Sequence, residues 1–316
     1  MSQSPPGSPG AYTAPLAIRF GLILAMAILT AVWYLLMRIA TEGGVPYLGV
    51  AFWQCAGASA IAGTVVLLRR KRLPLSRRHL VFYAISGFFG AVVPYVVTAA
   101  AAPRIPVGVL GMGLTIEPAL TYLIALPLLL ERFRSSRFAG ILLGVAGLLL
   151  IVVPESALPS PAMAPWVILA LGLPVSQAIW STYLAAARPP AVDSQVLTFG
   201  LVTAGAAMLL PAALATDSLW WLDGNGPNTD LWWPVAALAV MNSFGWIIGF
   251  EAIRLAGPVF YSAYSFIAVP LTIVVGMVVF AEHHSSWIWS ALVLLLASLY
   301  LVNMTMGNAR KRAEQR

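Results

Sequence analysis

The sequence predicts an all-α integral membrane protein, with ten transmembrane helices arranged as two inverted five-helix repeats. Three observations carry that prediction. Of 316 residues, 60% are hydrophobic and only 9% are charged, whereas soluble domains carry about a quarter charged residues. Apolar runs long enough to cross a hydrocarbon core, roughly 20 residues each, recur ten times along the chain. In each half, one run contains a proline and closes on a glutamate 12 or 13 residues later, Pro118 to Glu131 and Pro270 to Glu282.

The elements follow in order. Residues 1–15 are rich in Ser, Pro and Gly and read as a disordered cytoplasmic tail. No basic stretch precedes the first apolar run, 17–39, which is too long for the core of a cleaved signal, so it is a first span. The second span, 46–68, is separated from the third, 79–101, by a basic loop at 69–78. Pro103, Arg104 and Pro106 make the turn into the fourth, 105–130. Arg132, Arg134 and Arg137 mark the passage to the fifth, 136–153, and Glu155 that to the sixth, 164–187. The seventh is 195–215 and the eighth 231–255; Arg254, Gly257 and Pro258 turn the chain into the ninth, 257–281, and the tenth is 286–305. The expected organisation is a first repeat at 16–154, a second at 163–305 and a basic cytoplasmic tail at 306–316.

Charge placement orients the spans. With the N-terminus inside, sixteen of the 18 basic residues face the cytoplasm, and only Arg38 and Arg104 lie outside. That is the bias the positive-inside rule produces for an even number of spans with both ends cytoplasmic. The outer loops hold Glu42, Glu155, Asp217, Asp223, Asp230 and Glu282, and Trp220, Trp221, Trp232 and Trp233 fall at the outer headgroup level. The net charge of +7 is thus an orientation signal, with anionic lipid as a second partner for the loop at 69–78. It does not require nucleic acid.

The halves also match in their earlier turns, Ala102, Pro103 and Arg104 against Ala252, Ile253 and Arg254. Five spans per half is an odd number, so two halves of the same internal order insert with opposite orientation, which in transporters places a substrate site at the repeat interface.

The stretch Ile116-Glu117-Pro118-Ala119-Leu120, leading to Glu131-Arg132 and then Gly140, Gly144 and Gly147, resembles the EamA-type members of the drug/metabolite transporter superfamily. Val269-Pro270 leading to Glu282 is the weaker second copy, and the resemblance spans 17–305. It implies a ten-helix secondary carrier with alternating access in a bacterial inner membrane. Spans one to four and six to nine would surround a central cavity, with spans five and ten peripheral. The implied cargo is a small organic metabolite moved outward, amino acids being the first expectation. The chain departs from the pattern at Phe52-Trp53-Gln54-Cys55, where many relatives carry an arginine, and at Glu117 before the proline.

Glu117 is the sharpest chemical feature. Eleven residues into the fourth span it lies about 16 Å deep, where a charged carboxyl costs about 3 kcal/mol on insertion scales, so it must stay protonated or find a partner. One reading is proton coupling or substrate contact. The other is structural: Pro118 frees a carbonyl one turn earlier, which a protonated Glu117 could satisfy with help from Thr121. The matching residue in the second half is Val269.

Polar stripes at helical spacing supply further cavity candidates. They are Thr30 and Trp33, with Tyr34, on span one; Tyr95 and Thr98 on span three; and Gln177, Trp180 and Ser181 on span six. Asn242, Trp246 and Gly249 follow on span eight, and Tyr261, Ser265 and Thr272 on span nine. Gln177 and Asn242 stand out, because an amide in hydrocarbon cannot shed its polarity by protonation. Gly140 and Gly144 form a GxxxG pattern, read as packing within the chain or as a homodimer contact. Glu251 and Arg254 are spaced as a local ion pair. The acidic loop from Asp223 to Asp230 misses calcium-loop spacing at Pro227.

Cys55 is the only cysteine, and His79, His283 and His284 are the only histidines. No disulfide framework, metal-ligand spacing or phosphate loop is present, so no cofactor is expected and ATP-driven transport by this chain alone is excluded. A non-transporting membrane enzyme or sensory scaffold is the alternative class. It lacks a catalytic constellation in one case and an output domain in the other.

Overall fold

The computed structural model describes residues 16–128, 133–153, 157–189, 192–219, 231–256 and 264–314. Among them every regular element is helical and no strand occurs. That follows from composition, since backbone groups in hydrocarbon must find their hydrogen bonds within their own segment. Helix α1 (Leu16–Glu42) and α2 (Tyr47–Leu68) are joined by a turn in which Gly44 takes φ 95, a conformation open to glycine, and Pro46 starts α2.

The next spans are interrupted. Helix α3 (Arg77–Gly87) passes through a π-helical turn, Phe88–Val92, into α4 (Val93–Ala101). The wide turn precedes Pro94, whose missing N–H disturbs the ladder there. Helix α5 (Val107–Met112) runs into a 3-10 turn, Gly113–Ile116, before α6 (Glu117–Ala125). Pro118 is the cause in sequence: it cannot bond the carbonyl one turn back, and the chain tightens over the residues before it. After α7 (Ser135–Val152), α8 (Ala164–Ala170) and α9 (Gly172–Ala187) meet at a break by Leu171, three residues before Pro174. Helix α10 (Ser194–Ala215) is capped by Asp193, which accepts from the Gln195 N–H at 3.0 Å. Helices α11 (Trp232–Ala256), α12 (Ser265–Phe280) and α13 (Ser286–Glu314) complete the bundle.

Eight helical stretches, among them Phe20–Glu42, Arg77–Ala101 and Val107–Ala125, are long and apolar enough to cross a membrane. Ser265–Phe280 and Ser286–Val302 are apolar but shorter. Trp232 and Trp233 are exposed at the start of α11, as an interfacial aromatic requires. Trp220, Trp221 and the loop at 223–230 lie outside the described residues, as do Glu131 and Arg132.

Two buried clusters hold the bundle. One joins α1, α5, α12 and α13 through Tyr34, Met37, Leu110, Ile273 and Leu295. The other joins α2, α3, α9, α10 and α11 through Phe52, Phe82, Trp180, Leu201 and Phe250. Trp33 packs against both. At the edge, α7 lies along α13. A Cβ at Gly140 would meet Val302 at 2.9 Å, one at Gly144 the Ser298 hydroxyl at 2.8 Å and one at Gly147 Leu295 at 2.9 Å. The glycine stripe therefore serves close approach of these two helices within the chain.

Candidate functional site

With 3.6 residues per turn, Met26, Thr30 and Trp33 share a face of α1 with Tyr34 beside them, and all four border a cavity of about 110 Å³. The facing wall comes from Pro94 and Tyr95 of α4, Leu114 of the 3-10 turn, Leu173 and Gln177 of α9, and Asn242, Gly245 and Trp246 of α11, with Tyr264. No lining side chain among the described residues is charged.

The polar groups of this wall are joined to one another. Trp33 Nε1 and Asn242 Nδ2 both donate to Gln54 Oε1, at 3.2 and 2.7 Å. Tyr95 OH donates to Asn242 Oδ1 at 2.7 Å and accepts from Trp246 Nε1 at 2.8 Å. Gln54, fully buried on α2, is thus the hub of a network that ties four spans together. Two donors on one oxygen also fix which way its amide faces. Sequence reasoning registered Gln54 only as a departure from a pattern. The signal that singled out Gln177 and Asn242, an amide within an apolar run, applied equally to it.

The structure brings Thr30, Trp33, Tyr95, Gln177, Asn242 and Trp246 to the cavity wall. Tyr34 and Tyr264 join them. Trp180 lies one layer behind, edge-on to Trp246 with ring centroids 4.9 Å apart. Ser265 is buried at the start of α12, off the wall, and Thr272 bonds its own helix through the Ala268 carbonyl at 2.7 Å. That face is drawn against α5 because Gly111 lets Thr272 approach. Tyr261 lies outside the described residues, and so does the Arg254 side chain of the expected pair with Glu251. Glu251 accepts from the Ser194 hydroxyl at 2.8 Å.

Glu117, Pro118 and Thr121 are beside the cavity, not on its wall. Glu117 is half buried in the first turn of α6, where the helix dipole favours a negative group. Among the described residues no hydrogen bond or ion pair reaches its carboxyl. Thr121 approaches Ser181 of α9 at 3.3 Å. The hydroxyl expected to assist Glu117 is directed to another helix.

A second polar cluster lies at the end of the bundle that holds Arg38. Its centre is Glu282, whose carboxylate accepts from the Val107 N–H at 2.6 Å and the Gly108 N–H at 3.2 Å, at the start of α5, and pairs with the Arg38 guanidinium. Arg38 also bonds Glu42 at 2.7 Å and covers the Phe280 ring at 4.2 Å. Before Glu282, Ala281 takes φ 50 in the left-handed region, a conformation disfavoured for a residue with a Cβ. His284 packs against Gly108, its Nε2 3.6 Å from Glu282. Burial holds the His284 imidazole below its ordinary pKa against the pull of Glu282, with His283 pushing the same way as burial.

Residues 19–153 match the EamA-like transporter family. A riboflavin transporter of Brucella anthropi is 25% identical over 281 residues, covering 85% of this chain and 93% of that protein. A solved structure described as the crystal structure of a protein shares the fold, with TM-score 0.60 at 20% identity over 92% of this chain and 97% of its own. The match of residues 19–153 to a transporter family, together with the apolar helices, supports a multi-pass membrane protein with a general transporter role and, by implication, a small-molecule substrate. Family and relative both point to transport and not to an enzyme.

Proposed function

We propose that the chain is a secondary carrier that moves an uncharged, flat organic metabolite across a bacterial inner membrane by alternating access. The single observation that carries this is a cavity walled by aromatic rings and amides, with no charged side chain among the described residues that line it. An amino acid, the first expectation from the resemblance, would bring an ammonium and a carboxylate into that lining, and unpaired charges in a low-dielectric site are costly. A conjugated ring loses nothing there, because the faces of Trp33, Tyr95 and Trp246 accept it by stacking. The name of the Brucella anthropi relative agrees, riboflavin being a flat ring system on a neutral chain.

In this reading residues 16–154 and 163–305 are inverted repeats, and the sixteen-to-two split of basic residues puts both termini in the cytoplasm with Arg38 outside. The pairing of α7 with α13 at the edge, with spans one, three, four, six and eight around the cavity, supports this arrangement. Glu117 is assigned proton exchange and Pro118 the flexing point beside it; Thr121 and Trp180 support the wall, and Tyr261 and Ser265 lie on the path from span nine. The exposed basic residues between α2 and α3 fit contact with anionic headgroups. A homodimer would have to use a face other than the glycine stripe, which α13 covers.

The test is flux in proteoliposomes against riboflavin and a panel of amino acids, with and without a pH gradient. Saturable counterflow of riboflavin, stimulated by the gradient, is expected. Counterflow of amino acids alone would overturn the uncharged-substrate reading.

A further inference from the structure

Resting on the carrier reading above, we propose that Gln177 selects the substrate by pairing its side-chain amide with a lactam or imide edge, a ring –CO–NH–, of the flat ligand. The argument is one of elimination among the polar groups that the wall offers. The indole N–H groups of Trp33 and Trp246, the Tyr95 hydroxyl and the Asn242 carbonyl are already bonded to one another or to Gln54. A ligand could recruit them only by breaking bonds they already make, which is unfavourable in a low-dielectric interior; Gln54 Nε2 is also unpaired, but Gln54 does not line the cavity. The hydroxyls of Thr30 and Tyr34 rotate between donating and accepting, so they welcome either kind of edge and reject neither.

Gln177 differs from all of these. It borders the cavity, its Oε1 is buried, and it has no hydrogen-bond partner among the described residues. A primary amide presents a donor and an acceptor side by side in one plane, and flipping it only exchanges their places. The group that satisfies both at once is another planar amide unit, offering C=O beside N–H. This is the geometry by which a glutamine reads the edge of a nucleobase. The neighbouring turns hold the amide where such a ring would lie. Leu173, one turn earlier on α9, lines the same wall, and Trp180, one turn later, supports the Trp246 ring from behind. Trp33 and Tyr95, with centroids 5.8 Å apart, supply ring faces across the cavity. The ligand class is therefore an uncharged, conjugated heterocycle with one lactam or imide edge turned toward α9.

Riboflavin, whose ring system carries an imide, and N3-methylriboflavin, which lacks that N–H, separate the contributions. Binding to the full-length protein in nanodiscs is read from flavin fluorescence, and counterflow is measured in proteoliposomes. The parent protein is expected to bind riboflavin about tenfold more tightly than the methylated compound. Gln177→Leu should lose that same factor for riboflavin and show no preference between the two, because the methyl group and the substitution remove one and the same interaction. The parent measurement needs no variant, so a poorly folded Gln177→Leu leaves the test intact. Equal handling of both flavins by the parent, or a preference kept by Gln177→Leu, would overturn the assignment to Gln177 while leaving the carrier standing. A parent that neither binds nor moves riboflavin would overturn the assignment together with the uncharged-ring reading.

Discussion

The cavity and the Arg38 end of the bundle treat polarity in opposite ways. Around the cavity Trp33, Gln54, Tyr95, Asn242 and Trp246 are neutral and bond in a chain, and Gln177 is left over. At the Arg38 end, full charges meet: Glu282 is held by Arg38 and by two backbone N–H groups of α5, leaving it 9% exposed. A charge is tolerated in a buried position only when its partners travel with it, so it suits a joint between helices. A cavity that must exchange water for ligand needs groups whose desolvation is cheap, and neutral amides and indoles are that kind.

Breaking the joint should have the largest effect. Glu282→Ala removes the carboxylate and leaves Arg38, 17% exposed in its side chain, with only Glu42 at its surface. The N–H groups of Val107 and Gly108 lose their acceptor at the same stroke. Removing one member of a buried pair costs about 3–5 kcal/mol, so thermal unfolding in detergent should fall clearly below the parent. The companion change Arg38→Met in the same chain should restore part of the loss. Unchanged unfolding of Glu282→Ala would mean that the cluster is incidental.

The next effect belongs to Glu117, the acid beside the cavity. Glu117→Gln keeps size and hydrogen-bonding capacity but removes titration. If Glu117 carries the proton, gradient-driven flux normalised to folded protein should fall by at least about tenfold, or roughly 1.4 kcal/mol, while counterflow without a gradient survives. Undiminished gradient-driven flux would eliminate the relay and leave only the structural role. Its place in the first turn of α6, without a bond from Thr121, favours the first outcome.

Within the cavity, Tyr95→Phe keeps the ring but deletes the hydroxyl that Trp246 and Asn242 share. Leaving buried polar atoms unpaired costs about 1–3 kcal/mol. The expected loss of stability is smaller than for Glu282→Ala, and the affinity for a flat substrate should fall as Trp246 loosens. Equal stability of Tyr95→Phe and parent would show that water replaces the hydroxyl at no cost, and would erase the contrast between a bonded wall and an unbonded Gln177.

These two regions were unequally legible in the sequence. The cavity side announced itself by period: Thr30 and Trp33, and Asn242 and Trp246, recur on one helical face, and amides in apolar runs are rare enough to notice. The helix limits were legible for the same reason. The runs at 46–68 and 195–215 fall within a residue of α2 and α10. The joint was not legible. Glu282 stood out only as the glutamate that closes the second repeat's span, and nothing showed what it binds, because its partner Arg38 lies 244 residues away and its other partners are backbone groups, which carry no sequence signal. The interruptions were half legible. Pro118 foretold a break, yet the π turn at Phe88–Val92 was not foreseen, and Pro270 sits inside α12 without ending it. Proline removes one bond, and what the chain does next is decided by its neighbours.

The smallest expected effect sharpens the comparison by pH. His284 belongs to the joint and is the imidazole in contact with Glu282 there. Its folded pKa is lowered from 6.5, first by burial and also by His283, with Glu282 opposing; Arg38, on the far side of Glu282, is a further positive charge. A group whose folded pKa is depressed binds fewer protons in the folded state than in the unfolded one. Its contribution to stability is therefore fully present above 6.5 and is lost as pH falls from there toward the folded value. The protein should unfold more easily as the medium is acidified through that window, by on the order of a degree or two in Tm. His284→Gln should flatten that dependence without touching riboflavin binding at neutral pH, since the cavity holds no titratable group of that kind. A pH dependence that persists in His284→Gln would have to come from elsewhere, and Glu117 would be the group to substitute next, moving the pH-sensitive element from the joint to the edge of the cavity.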